Sequence, residues 1–589
     1  MNRRKYILST LGLGAGLGIA SQYNTQPSIA SNINLADSIT LPDDIEKSKE
    51  FTVQLTIDSL GLTPQRIGSD VNLSGVEVRG KTNSTPFNAS ESIPIRNDIL
   101  LSNNQTVNDV LKESQVVIPL TVEFNENSSR IIVEFIIDTD KQDFIIQETI
   151  PIVSNNISEP NESEPDDLGE VFNSLRGSGT EEDPYVITND HELQCIDYNE
   201  DSLSADYVLA NDIDMSLTKN WYNDDGFKPI GDSDDRFEGN INGKGHKIDG
   251  LYINRKSRRR VGLIGYSQNS YISNINLINV NITGDNEVGG LIGNNRGKII
   301  NSMVSGSVNS ERSSVGVLAG INNDEIINCY STGTVESEGS NVGGLVGYNT
   351  GGDIKDSYSE CDIKDGDDNV GGLVGRSRGL IDNSYATGDV TQQIGWRGCG
   401  GLVGTNENLI ENSYATGDVD GGRAGGLVGW NYGAEIYNSY ATGNIVNGGG
   451  GLVGHIQDDS IDSIVSNTYA TGNVEGNGGG LVNMLERSEL TNSYAVGDVT
   501  GSFRADGLIG DLSRSDYENL YFDNESTTVI EDGEEVDSSR GIDLDTSEMK
   551  GESAETKMGA LDFDNVWETV EGDYPVLQAL DTQLQLDNR

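Results

Sequence analysis

A pentad of the type Gly-Gly-Leu-Val-Gly constrains this chain more than any other feature. It recurs with leucines at 263, 291, 318, 345, 373, 402, 427, 452, 481 and 508, a step of 25–29 residues. A second motif follows most of these leucines: Asn383-Ser384-Tyr385-Ala386-Thr387-Gly388-Asp389-Val390, nearly repeated at 412–419, 438–445, 467–474 and 492–499. Two anchored motifs at a fixed period mark a repeat architecture. Each repeat holds two or three short β-prone stretches, such as Leu402-Val403 and Ser413-Tyr414-Ala415-Thr416, separated by Gly, Asn and Asp. None has a 3.6-residue period, which excludes helical solenoids. Propeller blades need about 40 residues or more, which these repeats do not reach. One such unit cannot bury a core alone, but stacked units pair their backbones and extend one interior. The expected fold is all-β: a parallel β-helix (β-solenoid) of about ten rungs, one coil per repeat.

Stacking turns each repeated residue into a column. The paired glycines suit sharp corners that need positive φ or close backbone approach. The recurring Asn at 301, 328, 383, 412, 438, 467 and 492 is expected to stack as an amide ladder at one corner, each bonding the next. Tyr330, Tyr358, Tyr385, Tyr414, Tyr440, Tyr469 and Tyr494 form another column, with rings about 4.8 Å apart. Facing outward it would be a sugar-binding strip, and facing inward it would be structural; its uniformity argues for packing. The residue after each pentad behaves differently, reading Tyr348, Arg376, Thr405, Trp430 and His455 in successive rungs. A position that varies among large polar and aromatic types is expected to be exposed, and a face lined this way suits glycan binding. Arg255-Lys256-Ser257-Arg258-Arg259-Arg260 is the basic cluster of the acidic mature chain. It suits an acidic polysaccharide or an acidic partner surface, or else it neutralises neighbouring carboxylates. The candidate binding residues are therefore Tyr348, Arg376, Trp430, His455, Arg255, Lys256, Arg258, Arg259 and Arg260.

The rest of the chain divides by composition. Residues 1–20 read as an export signal: Arg3-Arg4-Lys5-Tyr6-Ile7-Leu8 precedes a small, apolar run, Leu11 to Ala20. The paired arginines resemble a twin-arginine signal, and export places the protein outside the cell or at its surface. An N-terminal linker occupies 21–48. Residues 49–153 alternate apolar and polar in short bursts between turn clusters, which suggests an immunoglobulin-like β-sandwich, with the two-sided apolar run at 132–137 as a central strand. Residues 154–176 are acidic, carry Pro160 and Pro165 and lack periodicity, so they read as a linker. The solenoid with its lead-in runs over 177–516. Residues 517–589 are expected to cap the stack, because an open end exposes unpaired strand edges.

Charge and chemistry narrow the function. With 39 Lys+Arg against 94 Asp+Glu the net charge is −55, spread along the whole chain. Such a chain repels itself unless concentrated salt screens it, which reads as adaptation to a hypersaline medium. Nucleic-acid phosphates would meet the wrong sign of potential. No apolar span of membrane length follows the signal. Cys195, Cys329, Cys361 and Cys399 lack C-x-x-C spacing, and neither a zinc site nor any cofactor is implied. Cys329 and Cys361 lie in adjacent rungs, but their offset of about 13 Å exceeds bridging distance, so free thiols are expected. The calcium-binding nonapeptide needs an Asp where the pentad is followed by Tyr, Arg, Thr, Trp or His. The three histidines are scattered, with neither H-E-x-x-H nor G-x-S-x-G, so no catalytic residue is assigned.

At the pentads the chain resembles the GLUG motif repeat, named for its Gly-Leu-hydrophobic-Gly core. The resemblance runs from Gly177 to about Leu580. It takes in Asp183-Pro184-Tyr185, Tyr207-Val208-Leu209-Ala210-Asn211-Asp212-Ile213-Asp214, and the closing Val566-Trp567-Glu568 and Tyr574-Pro575-Val576-Leu577. The rungs at 315–320 and 478–483 depart from the pattern, and the second follows an insertion at 454–466. The resemblance, with an acidic composition of haloarchaeal type, implies an adhesin-like or envelope-structural surface protein. It would present a repetitive face to surface polysaccharide or envelope proteins. The alternative is a secreted polysaccharide-active enzyme, a lyase or glycosidase, on the same fold.

Overall fold

The computed structural model describes residues 161, 163–393, 397–458, 463–536 and 540–589, with the backbone of seven strands between 39 and 151. The export signal and the sequence between those strands lie outside the described residues. The chain divides into two units, 1–157 and 158–589. In the first, the described strands pair antiparallel in two sheets. One holds Ile39–Thr40, Glu50–Leu55 and Val116–Thr121; the other holds Ile93–Ile95, Leu73–Thr82, Arg130–Thr139 and Phe144–Pro151 in that spatial order. The apolar run at 132–137 thus lies in an interior strand with neighbours on both sides.

The second unit is a parallel β-solenoid. One rung shows the plan. Val342–Gly343 belongs to a nine-stranded sheet, Val346–Asn349 to a ten-stranded sheet, and Ile354–Lys355 and Tyr358–Gly366 to a long third sheet. The next rung repeats it in register: Val342 faces Val370, Val346 faces Val374, Ile354 faces Ile381 and Tyr358 faces Tyr385. Like residues therefore stack on like. Leu345, Val346 and Ile354 are fully buried, and so are their counterparts above and below, in one core running from Ile187 to Phe522. Backbone amides bond to the next rung, as Leu345 N–H does to Leu373 O at 2.9 Å and Leu373 N–H to Leu402 O at 2.9 Å. Every coil both completes its predecessor and depends on its successor.

The Asn-Ser-Tyr motif is a corner device. Its Asn takes the left-handed conformation, with φ of 47–56° at 301, 328, 383, 412, 438, 467 and 492. Asn tolerates this region better than other non-glycine residues. The Ser that follows turns inward: Ser384 Oγ accepts the Ser357 N–H at 3.2 Å and donates to Asp382 O at 2.8 Å. The expected amide ladder is interrupted. Asn328 donates to Asn301 at 2.8 Å and Asn438 to Asn412 at 3.5 Å, but Asn383 bonds Asp356, Asn412 bonds Asp382 and Asn492 bonds Ser466. The positive φ selects the residue type, and the amide bonds whichever oxygen the next corner presents. A second, buried ladder was not read from the sequence: Asn295 donates to Asn322 at 2.8 Å, Asn322 to Asn349 at 3.0 Å and Asn406 to Asn431 at 2.8 Å.

Close approach, not positive φ, explains the pentad glycines. A Cβ on Gly372 would lie 2.1 Å from Gly401 O, and one on Gly375 would lie 2.5 Å from Val342 N.

The tyrosine column corrects the inward reading. Side chains alternate along a strand, and Ser331, Ser359 and Ala386 take the interior positions, so the tyrosines project outside the coil. Their rings stack at 4.7–5.1 Å with interplanar angles of 1–6°. Tyr414, Tyr440, Tyr469 and Tyr494 are nevertheless buried, beneath the C-terminal segment.

That segment does two things. Asp516–Asp523 and Val529–Glu531 continue the long sheet, and Ile542–Leu544 pairs onto the first of them. Helices α1 (Thr546–Met549), α2 (Glu552–Lys557) and α3 (Thr582–Asp587), with the hairpin Trp567–Val570/Asp573–Leu577, then lie along the tyrosines. Tyr494 Oη donates to Pro575 O at 2.6 Å, Arg589 donates to Tyr494 Oη at 2.8 Å and Asn588 donates to Tyr440 Oη at 3.1 Å.

At the other end, part of the presumed linker is ordered. Leu168–Ser174 is a helix because Asp167 caps the amides of Gly169 and Glu170 and because Phe172 packs on Tyr185 and Tyr198. All four cysteines are free and buried; Cys361 stands opposite Gly333, while Cys329 occupies the inward Ser position.

Candidate ligand-binding face

The ten-stranded sheet places the residue after each pentad in one outward line. Its order is Tyr266, Asn294, Ile321, Tyr348, Arg376, Thr405, Trp430, His455, Met484 and Asp511, each paired with the next. Tyr348, Arg376, Trp430 and His455 therefore lie on one face, as their spacing predicts. Their expected exposure is corrected. Thr405 is 2% exposed and His455 4%, while Tyr348, Arg376 and Trp430 are half-buried.

The cause is the neighbouring corner. The last pentad glycine has no side chain, so the preceding coil's left-handed residue packs directly on it. A Cβ on Gly293 would lie 2.6 Å from Arg260, one on Gly404 would lie 2.5 Å from Asn369 and one on Gly454 would lie 2.3 Å from Arg423 O. Side chains from that corner close over the line; Thr405 Oγ1 donates to Asn369 Oδ1 at 2.6 Å.

Aromatic rings along the line are dressed with guanidinium groups. Arg236, Arg260 and Arg296 lie 5.3, 4.8 and 5.6 Å from the Tyr266 ring centre. Arg376 and Arg378 lie 5.4 and 5.7 Å from Tyr348. Arg397 and Arg423 lie 5.8 and 5.5 Å from Trp430, which stacks on His455 at 5.9 Å and 5° and meets Tyr432 edge-on. Cation–π contacts of this kind contribute about 0.5–2 kcal/mol each and hold the rings in place.

The three clusters differ electrostatically. Arg259 and Arg260 bond the buried Glu287 carboxylate at 2.5 and 2.8 Å. Burial pushes the Glu287 pKa up, but hydrogen bonds from Asn294, Arg260 and Arg259 outweigh it and hold the carboxyl below its usual range. Arg376 and Arg378 share Glu407. Around Trp430 the arginines hold no carboxylate among the described residues. Burial and the neighbouring Arg423 pull the His455 pKa from 6.5 down to about 4, so its imidazole is neutral.

The basic cluster divides. Arg260 joins the line at Tyr266, and Arg259 joins it through Glu287. Arg255 turns inward to the carbonyls of Phe227 and Gly226 at 3.1 and 2.9 Å and to Asp225 at 3.7 Å. Lys256 is exposed and Arg258 half-buried beside Asp232. Sequence reasoning missed Tyr266, although it follows Leu263-Ile264-Gly265 as Tyr348 follows its own pentad. It also missed Arg296, Arg378 and Arg397, which lie a coil away from the rings they cover, and Arg423, at the corner before Trp430's own pentad.

Comparison with known proteins agrees with this architecture. The GLUG motif matches at 311–336, 338–363, 366–391, 398–420 and 420–446, each match spanning about one coil. The chain is 37% identical over 148 residues to Halomucin of Haloquadratum walsbyi, a stretch covering 24% of this chain and 2% of that protein. It is 38% identical over 135 residues to a putative Gly-rich membrane protein of Evansella cellulosilytica, covering 22% and 15%. The chain thus spans a small part of the length of both relatives. Among the described residues no helix is long and apolar enough to cross a membrane. Matched repeats, shared period and stacked pentads together place five GLUG motifs in residues 311–446 of this chain, each a rung of its parallel β-solenoid.

Proposed function

We propose that the chain is an exported cell-surface protein of a saline environment, acting in adhesion or envelope structure, and that the ten-stranded sheet presents its binding face to glycans. The observation that carries this reading is the single line of Tyr266, Tyr348, Arg376, Trp430 and His455, with arginines on three of its rings. Aromatic faces take the CH side of a sugar, and guanidinium groups take its hydroxyls and anionic groups. Recurrence along the axis supplies avidity in place of one tight site. The similarity to a protein named Halomucin supports a surface role. The tyrosine column is less suited to sugar, because its stacked rings use their faces on one another.

The test is retention of the full chain, in concentrated salt, on immobilised polysaccharides and on cell envelopes, with reducing ends and unsaturated products followed together. Retention without new products supports the reading. Reproducible cleavage would replace it with the enzyme alternative.

A further inference from the structure

Resting on that glycan reading and deepening it, we infer that the rungs carrying Trp430 and His455 form a subsite for an anionic saccharide unit, a carboxylated or sulfated pyranose. Arg397 and Arg423 would hold its charge, and the ring nitrogens of Trp430 and His455 would hold its polar groups.

The polar atoms come first. Trp430 Nε1 and both ring nitrogens of His455 are buried without a hydrogen-bond partner. A buried polar atom left unpaired costs about 1–3 kcal/mol, and here three converge on two stacked rings. A neutral imidazole offers one donor and one acceptor, and an indole one donor. Together they match a hydroxyl beside an acidic oxygen. The nearest carboxylate, Glu486, lies 3.9 Å from His455 Nε2, beyond hydrogen-bond reach.

The cations come second. At Tyr348 both guanidinium groups are committed to Glu407, and at Tyr266 Arg260 is committed to Glu287 while Arg236 bonds Gln268; at the indole both Arg397 and Arg423 touch the ring and pair with no carboxylate among the described residues. In a chain of net charge −55, arginines without a carboxylate are those available to an external anion.

The shape comes third. The corner packed beside Gly429, the residue before Trp430, is Gly398, where other rungs place Arg260, Asn369 or Arg423. One rung earlier the line holds only the short Thr405. Among the described residues no ring stacks on the Thr405 side of the indole, and a flat indole face suits a pyranose ring. An acidic polypeptide shares the charge but offers no such ring of CH groups.

Binding to the full chain is read by tryptophan fluorescence and calorimetry in concentrated salt. The probes are oligogalacturonate and dextran sulfate, each beside its neutral counterpart, methyl-esterified oligogalacturonate and dextran, with polyglutamate as the acidic peptide. We expect an anionic saccharide to bind at least about tenfold tighter than its neutral counterpart and than polyglutamate. The double variant Arg397→Gln/Arg423→Gln should remove that preference, and Trp430→Phe, which keeps a ring but loses Nε1–H, should weaken binding several-fold. Tyr358→Phe, on the tyrosine column, should change nothing. Equal binding of charged and neutral sugars would overturn the subsite while leaving the glycan face standing. Polyglutamate binding as tightly would show an anion site without sugar recognition and would also overturn it. Failure of every saccharide to bind would overturn both readings.

Discussion

Asn438 sits at φ 47° in the corner that each coil makes within the long sheet, here between Ile436 and Tyr440. The left-handed region costs an ordinary L-residue about 1 kcal/mol or more, is easier for Asn, and is free for Gly. Asn438→Gly should therefore be nearly neutral. Asn438→Val should lower stability by about 1–2 kcal/mol, because a β-branched side chain fits that region worst. Thermal melts of the two variants check this; equal stability would show that the amide contacts, not the backbone, select Asn here. The pentad glycines answer to a different constraint, backbone atoms of their own or a neighbouring coil that any added Cβ would strike, at 2.1 Å for Gly372 and 2.5 Å for Gly375. Sequence inspection leaves the two causes open because both select glycine, and only the rung register separates them.

At the scale of elements, the tyrosine column is both outward and buried, a combination that strand alternation alone does not reveal. Alternation puts tyrosine outside; the cover comes from residues 545–589, more than fifty residues beyond Tyr494. No local pattern marks that contact. Tyr494→Phe removes the hydroxyl that joins Pro575 O to Arg589. It should cost about 1–2 kcal/mol of docking and make residues 545–589 more susceptible to limited proteolysis. Unchanged cleavage would show that apolar contacts of Trp567, Met549 and Leu577 hold the cover alone. The binding line shows the same division. Its central residues were legible from the pentad because they share one repeat position. Its arginines were not, since Arg397 approaches Trp430 from the preceding coil and Arg423 from the corner before Trp430's own pentad, positions that the pentad pattern does not mark.

Across the whole molecule, the chain carries 94 acidic residues against 39 basic ones, and in its solenoid like residues stack every 4.8 Å or so. Stacking aligns like charges, as in Asp389 and Asp418, which lie at the same position of successive motif copies. Raising salt from about 0.1 M to above 1 M shortens the screening length from about 10 Å to about 3 Å. The melting temperature should rise with sodium chloride across that range. A fall, or no change, would count against self-repulsion as the dominant whole-molecule term. Fold and repeat count were readable because period and pairing are one property in a solenoid. Function was less readable, because its residues are defined by neighbours that stacking supplies.

The most direct test of the central claim, that the line on the ten-stranded sheet is the binding face, compares retention of three forms of the full chain on polysaccharide-coated surfaces in concentrated salt. These are the unaltered chain, Tyr348→Ala/Trp430→Ala on the line, and Tyr330→Ala/Tyr358→Ala on the tyrosine column. The account predicts that the first and third are retained alike and that the second loses most of its retention, by roughly tenfold or more through lost avidity. Equal retention of all three, or selective loss in the third, would contradict it.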